Sequence, residues 1–144
     1  MRSALAIEPD YLTVHTCEGV APLHAALNVV DRYSGKRPKV LGVCVLTSND
    51  VDEHMFMIRA IAACLAGLDG LICPPSFLSN VRHLSKFLMV PGIRMPNSDW
   101  VDQKNVATPF AAMSEGADAL VIGRDITRAE DPLKAVLAIK ETLI

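Results

Sequence analysis

Aromatic side chains are scarce in this chain: one Trp, two Tyr and four Phe among 144 residues. A core with so few rings must be aliphatic, and 51% hydrophobic against 21% charged residues is enough to build one. That balance excludes a disordered chain and suits buried strands covered by helices. Positive charge is not in excess either. A net charge of −2 offers no general attraction for nucleic acid or an anionic membrane surface. No apolar run approaches the roughly 18 residues of a membrane span, and the N-terminus has no signal-peptide pattern. Cys17, Cys44, Cys64 and Cys73 form no Cys-x-x-Cys pair, which points to reduced, mostly buried thiols in a cytoplasmic protein. His24, His54 and His83 show no ligand spacing, so no metal site is expected. His15 stands inside a strand-like run, where a structural role is commoner than a chemical one.

At this length a single domain with a proper core is expected. Arg2 to Pro9 reads as the tail of a helix with Leu5 and Ile7 partly buried. Strands are expected at Tyr11–Thr16, Val40–Leu46, Gly70–Cys73, Phe87–Val90 and Ala119–Ile122. Val40–Leu46 is apolar at every position, the mark of a strand covered on both faces. Helices are expected over Pro22–Tyr33, Asp52–Ala66, Phe77–Leu84, from Thr108-Pro109 to Gly116, and over Leu133–Leu143. Lys36 and Arg37 fall in a turn and read as solvated charge. Met55 and Met57 read as core filler. The connection Met95–Asn105 is longer than usual for a strand-to-helix link, and such loops are often functional. Five strands alternating with five helices is the pattern of parallel βα units. Glu18, Thr47, Ser48, Arg94 and Arg124 all follow strands, on the edge where parallel α/β folds bind ligands.

The densest signal is Leu120-Val121-Ile122-Gly123-Arg124-Asp125-Ile126. An apolar strand ends in a glycine, which lets a ligand oxygen approach a bare amide, and in an arginine, whose planar fork suits a phosphate dianion. Asp125 either neutralises Arg128 or caps a turn.

Six runs in order extend this picture: Thr13-Val14-His15, Val45-Leu46-Thr47-Ser48, Gly70-Leu71-Ile72-Cys73, Pro91-Gly92-Ile93-Arg94, Asp102-Gln103-Lys104 and Ile122-Gly123-Arg124-Asp125-Ile126-Thr127. Together they resemble orotidine 5′-phosphate decarboxylase over nearly the whole chain. The resemblance implies an α/β fold, a TIM-type (β/α)₈ parallel barrel. It also implies decarboxylation of orotidine 5′-phosphate to UMP in pyrimidine biosynthesis without a cofactor, and homodimers with active sites at the subunit interface. By motif, Gly123 and Arg124 would hold the 5′-phosphate, with Gln103 reaching it from the long loop. Arg94 and Thr47 would line the nucleotide site.

The family's Asp-x-Lys-x-x-Asp motif, whose lysine protonates the carbon that loses CO₂, is absent. Asp102-Gln103-Lys104 is a near-match, but the position three after Lys104 is Ala107. No catalytic residue is therefore assigned within this chain. A barrel of this kind needs about 200 residues or more, and only ten residues precede Tyr11. Residues 1–144 are thus expected to form a single incomplete barrel domain, the fourth to eighth βα units, with Met1 an internal methionine of a longer enzyme and both outer strands left as open edges. Two alternatives stand beside this: a non-catalytic nucleotide-phosphate-binding module, and a related sugar-phosphate decarboxylase.

Overall fold

Short aliphatic runs bounded by glycine, proline and aspartate become strands. The structure, a computed structural model, describes residues 1–45, 52–96 and 105–143. Among them are β1 (Tyr11–His15), β2 (Lys39–Val43), β3 (Gly70–Ile72), β4 (Leu88–Val90) and β5 (Ala119–Leu120). They pair in parallel, in the order β1-β2-β3-β4-β5. Each parallel neighbour requires a crossover, and each crossover here advances to the next strand without reversing. That is the winding of a (β/α) barrel. A doubly wound sheet would reverse its order at a switch point.

α1 (Arg2–Leu5) precedes β1; the crossovers carry α2 (Val20–Asp31), α3 (Glu53–Leu65), α4 (Leu78–Val81) and α5 (Pro109–Ser114); α6 (Arg124–Thr127) and α7 (Pro132–Glu141) follow β5. Side-chain oxygens cap three of them. Asp52 accepts from the His54 amide at 3.0 Å, Thr108 from Ala111 at 3.2 Å, and Asp131 from Lys134 at 3.0 Å. Pro109 and Pro132 follow the last two caps, where a missing N–H costs nothing.

Four expectations need correcting. The helix expected over Phe77–Leu84 is a 3₁₀ turn followed by the single turn of α4. Arg82 ends it by donating to the Ser85 and Gly116 carbonyls and to Asp118, which holds the chain in a turn. Ile7 is 79% exposed, because the chain turns at Glu8 and only Leu5 enters the core. Met55 is exposed, and only Met57 packs against the core. α6 was not anticipated: the Ile126 and Thr127 amides both return to the Gly123 carbonyl, so a tight turn starts directly at the glycine.

One sheet face meets the helices. Phe56 of α3 is fully buried there and stacks on Phe77 at 4.4 Å, among Ala60, Ala63, Leu71 and Leu88. On the other face Tyr11 and Phe87 stack at 5.6 Å, with the Lys39 ammonium 4.6 Å from the Phe87 ring. Tyr11 opens β1 and Phe87 precedes β4. Three strand spacings amount to about 14 Å in a flat sheet, so this contact reports an inward curl. Gly70 makes room for it: a Cβ there would lie 2.4 Å from the Phe87 carbonyl oxygen and 2.9 Å from the Phe87 Cβ.

A repeated device sets the register. Gly67-Leu68-Asp69-Gly70 and Gly116-Ala117-Asp118-Ala119 each close a helix and open a strand. Gly67 (φ 81°) and Gly116 (φ 103°) take the left-handed conformation, and the next amide bonds back to Ala63 or Ala112. Each aspartate then exchanges two bonds with the neighbouring strand. The Asp69 amide donates to the Val40 carbonyl at 2.9 Å and its carboxylate accepts from the Val40 amide at 2.7 Å. Asp118 does the same with Leu88, at 2.9 and 2.7 Å. An arginine completes each site, Arg37 on Asp69 and Arg82 on Asp118.

Candidate phosphate-binding site

Parallel pairing of β4 with β5 puts their carboxyl ends side by side. Pro91-Gly92-Ile93-Arg94 leaves β4, and Val121, Gly123 and Arg124 leave β5. These seven residues line one open cleft of about 220 Å³. Two of the runs singled out in the sequence thus meet in space. Gly92 turns the chain with φ 77°, after which Ile93 pairs with Ala107 in a parallel bridge. The Arg94 amide donates to the Ala107 carbonyl at 3.0 Å and the Ala107 amide to the Gly92 carbonyl at 3.3 Å. These bonds pin the two ends of the long connection beside the cleft.

At Gly123 an added Cβ would meet no atom of the described residues within 4 Å, so among them the space beside this backbone is open. Arg124, half-buried, is the first residue of α6. Arg94 is placed differently from an ordinary ligand arginine. Its Nη1 lies 2.8 Å from Asp125 Oδ1, with the two side chains 5% and 8% exposed. The Met95 amide donates to Asp125 Oδ2 at 2.7 Å. Among the described residues, Arg94 Nε is buried without a hydrogen-bond partner. Asp125, expected to neutralise Arg128 or cap a turn, instead grips the exit of β4.

Thr47 and Gln103, the other two residues assigned to the nucleotide, lie outside the described residues, as do Ser48, Asp102 and Lys104. His15 ends β1, exposed and away from the cleft lining. The basic turn serves the fold: Lys36 pairs with Asp10, and Arg37 bridges Asp31 and Asp69 at 2.9 Å each. Hydrogen bonds to Asp69 and Asp31 hold the Arg37 pKa above its ordinary value. The bond to Lys36 holds Asp10 below the usual carboxylate range.

All four cysteines are free: Cys44 and Cys73 buried, Cys64 half-buried, Cys17 exposed. Burial pushes the Cys44 thiol up to about 11 and the Cys73 thiol up to about 12. Both therefore stay protonated at neutral pH and offer no thiolate nucleophile. Among the described residues, no group of three His, Cys, Asp or Glu could hold a metal ion. No described helix is long and apolar enough to cross a membrane.

Sequential parallel winding, with a Gly-Arg turn at the carboxyl edge, defines a (β/α)-barrel protein of the class that binds ligands on that edge. Comparison with known proteins narrows the class. The model of the orotidine 5′-phosphate decarboxylase / HUMPS family matches residues 2–139, and the chain belongs to that family. An orotidine 5′-phosphate decarboxylase of Glaesserella parasuis is 36% identical, over 99% of this chain and 68% of the relative. One from Sphingopyxis alaskensis is 39% identical, over 95% and 65%. The crystal structure of orotidine 5′-phosphate decarboxylase from Lactobacillus acidophilus superimposes with a TM-score of 0.82 at 28% identity, over 99% of this chain and 66% of that one. The chain therefore spans about two thirds of the length of these relatives.

Two functional features escaped the sequence reading. The Asp125 grip on Arg94 had only a faint signal, opposite charges at the ends of two motifs 31 residues apart. The Gly-x-Asp repeat was legible but went unread, because each half alone looks like an ordinary helix stop.

Proposed function

We propose that this chain forms the phosphate- and nucleotide-holding portion of an orotidine 5′-phosphate decarboxylase, corresponding to the last five of eight βα units. The cleft shared by Pro91–Arg94 and Gly123–Arg124 carries this reading. A phosphate monoester seated there would meet the open backbone at Gly123 and the guanidinium of Arg124, a planar donor fork matched to its oxygens. Thr47 and Gln103 are assigned to the same nucleotide by motif. A cytoplasmic setting fits four unbridged thiols. A homodimer, no cofactor and no nucleic-acid or membrane partner complete the reading from the family resemblance and the charge balance.

The proton-donating Asp-x-Lys-x-x-Asp pattern has no counterpart in these 144 residues. Binding energy at the phosphate lowers no barrier unless groups are placed at the reacting carbon. The isolated chain is therefore expected to bind UMP and not to decarboxylate orotidine 5′-phosphate.

Calorimetric titration with UMP tests the site. Losing hydrogen bonds to a charged group costs about 1.5–3 kcal/mol, so Arg124→Ala should raise Kd roughly 10- to 150-fold. No saturable binding by the folded wild-type chain, or equal affinity in Arg124→Ala, would refute the assignment. Turnover of orotidine 5′-phosphate far above the buffer rate would refute the assignment of catalysis to groups outside this chain.

A further inference from the structure

Asp125 follows Arg124, and its carboxylate engages the neighbouring strand exit. Both oxygens are engaged there: Oδ1 with Arg94 Nη1 at 2.8 Å and Oδ2 with the Met95 amide at 2.7 Å. Arg94 and Met95 are consecutive, so one carboxylate holds a side chain and the following backbone at once. Such a two-point grip fixes orientation as well as distance. Burial strengthens it. At 5% and 8% exposure the pair escapes the solvent screening that leaves most surface pairs nearly worthless.

On the other side, Asp125 is bound rigidly to the glycine-arginine turn. The Ile126 and Thr127 amides return to the Gly123 carbonyl at 2.9 and 3.0 Å, so residues 123–127 form one closed turn. Wherever Asp125 is held, the backbone of Arg124 is held with it. The β4 exit is itself anchored, through the Arg94 and Ala107 backbone bonds at 3.0 and 3.3 Å. We propose that Asp125 is a positioning residue, latching the Gly123–Arg124 turn to Arg94 and Met95 so that Arg124 is preset toward a phosphate monoester. The claim rests on the reading of the cleft as a phosphate site. It gives the two arginines different places: Arg94 is a buried wall paired with Asp125, and Arg124 lines the cleft from the turn that Asp125 holds. Presetting matters because an anchor that must be ordered on binding loses affinity.

Amide hydrogen exchange and UMP titration of the 144-residue chain test this together. In Asp125→Ala, the Met95 amide should lose its protection while amides of β1 to β3 keep theirs, and UMP should bind about tenfold more weakly or worse. Asp125→Asn keeps an acceptor for Met95 and removes the charge facing Arg94. It should retain Met95 protection and lose about three- to tenfold in UMP affinity, and it carries the test if the alanine variant does not fold. Met95 still protected in Asp125→Ala would overturn the latch. UMP affinity within twofold of wild type in both variants would overturn the positioning role. Failure of the cleft itself would show differently, as a wild-type chain that binds no UMP. That result would remove the positioning role too, while Met95 exchange would still report whether the latch exists.

Discussion

Removing the Asp118 carboxylate is the sharpest test of how this sheet is held in register. Leu88 is fully buried, and its amide donates to Asp118 Oδ2 at 2.7 Å. Asp118→Ala removes the acceptor of that buried amide, a cost of about 1–3 kcal/mol. The same oxygen accepts from Arg82 at 2.6 Å, but these side chains are 35% and 36% exposed. Solvent screening limits that pair to at most about 1 kcal/mol. The expected loss is therefore about 1–4 kcal/mol, a sizeable part of the roughly 5–15 kcal/mol typical of a folded domain. Urea unfolding followed by far-ultraviolet circular dichroism should show a lower midpoint with an unchanged slope. Asp118→Asn keeps an acceptor and should lose about 1 kcal/mol, chiefly from the ion pair. A loss below about 1 kcal/mol in Asp118→Ala, or equal losses in the two variants, would show that the carboxylate does not hold the Leu88 amide.

Gly70→Ala should destabilise by about 1–3 kcal/mol, since its Cβ would press on the Phe87 backbone; a wild-type urea midpoint would contradict the close approach. Burial raises the Cys44 and Cys73 thiols from 9.0 to about 11 and about 12. Unfolded thiols ionise first, so their contribution is complete below about pH 9 and is lost as pH rises through the folded values. Urea midpoints should accordingly fall between about pH 9 and pH 11, and less steeply in Cys73→Ala; a flat profile would refute this. In a timed alkylation near neutral pH, mass spectrometry should find exposed Cys17 modified before Cys44 and Cys73.

The expected strands sit within a few residues of the observed ones because their signals are local. Tyr11–His15 alternates, Lys39–Val43 is nearly all apolar, and Asp52, Thr108 and Asp131 mark helix starts by chemistry any reader of the chain can apply. The misses had non-local causes. The helix after Phe77 was cut short by Arg82 reaching Gly116 and Asp118, up to 36 residues away. α6 formed because residues 124–127 could close on the Gly123 carbonyl, where the sequence reading had a strand run on into a loop.

Much of the candidate site was legible in the same way. Gly123 and Arg124 were legible because a strand ending in glycine and arginine is a local pattern with a direct chemical meaning. Order and spacing of six short runs were enough to indicate the family, and the parallel winding follows from strands and helices alternating along the chain. Tertiary structure decided what distance along the chain conceals. Parallel pairing of β4 with β5 brought their exits into one cleft, and only then could Asp125 meet Arg94. Both arginines look equivalent in one dimension. The fold buries Arg94 against the Asp125 carboxylate and places Arg124 at the first position of the neighbouring turn, on the lining of the cleft.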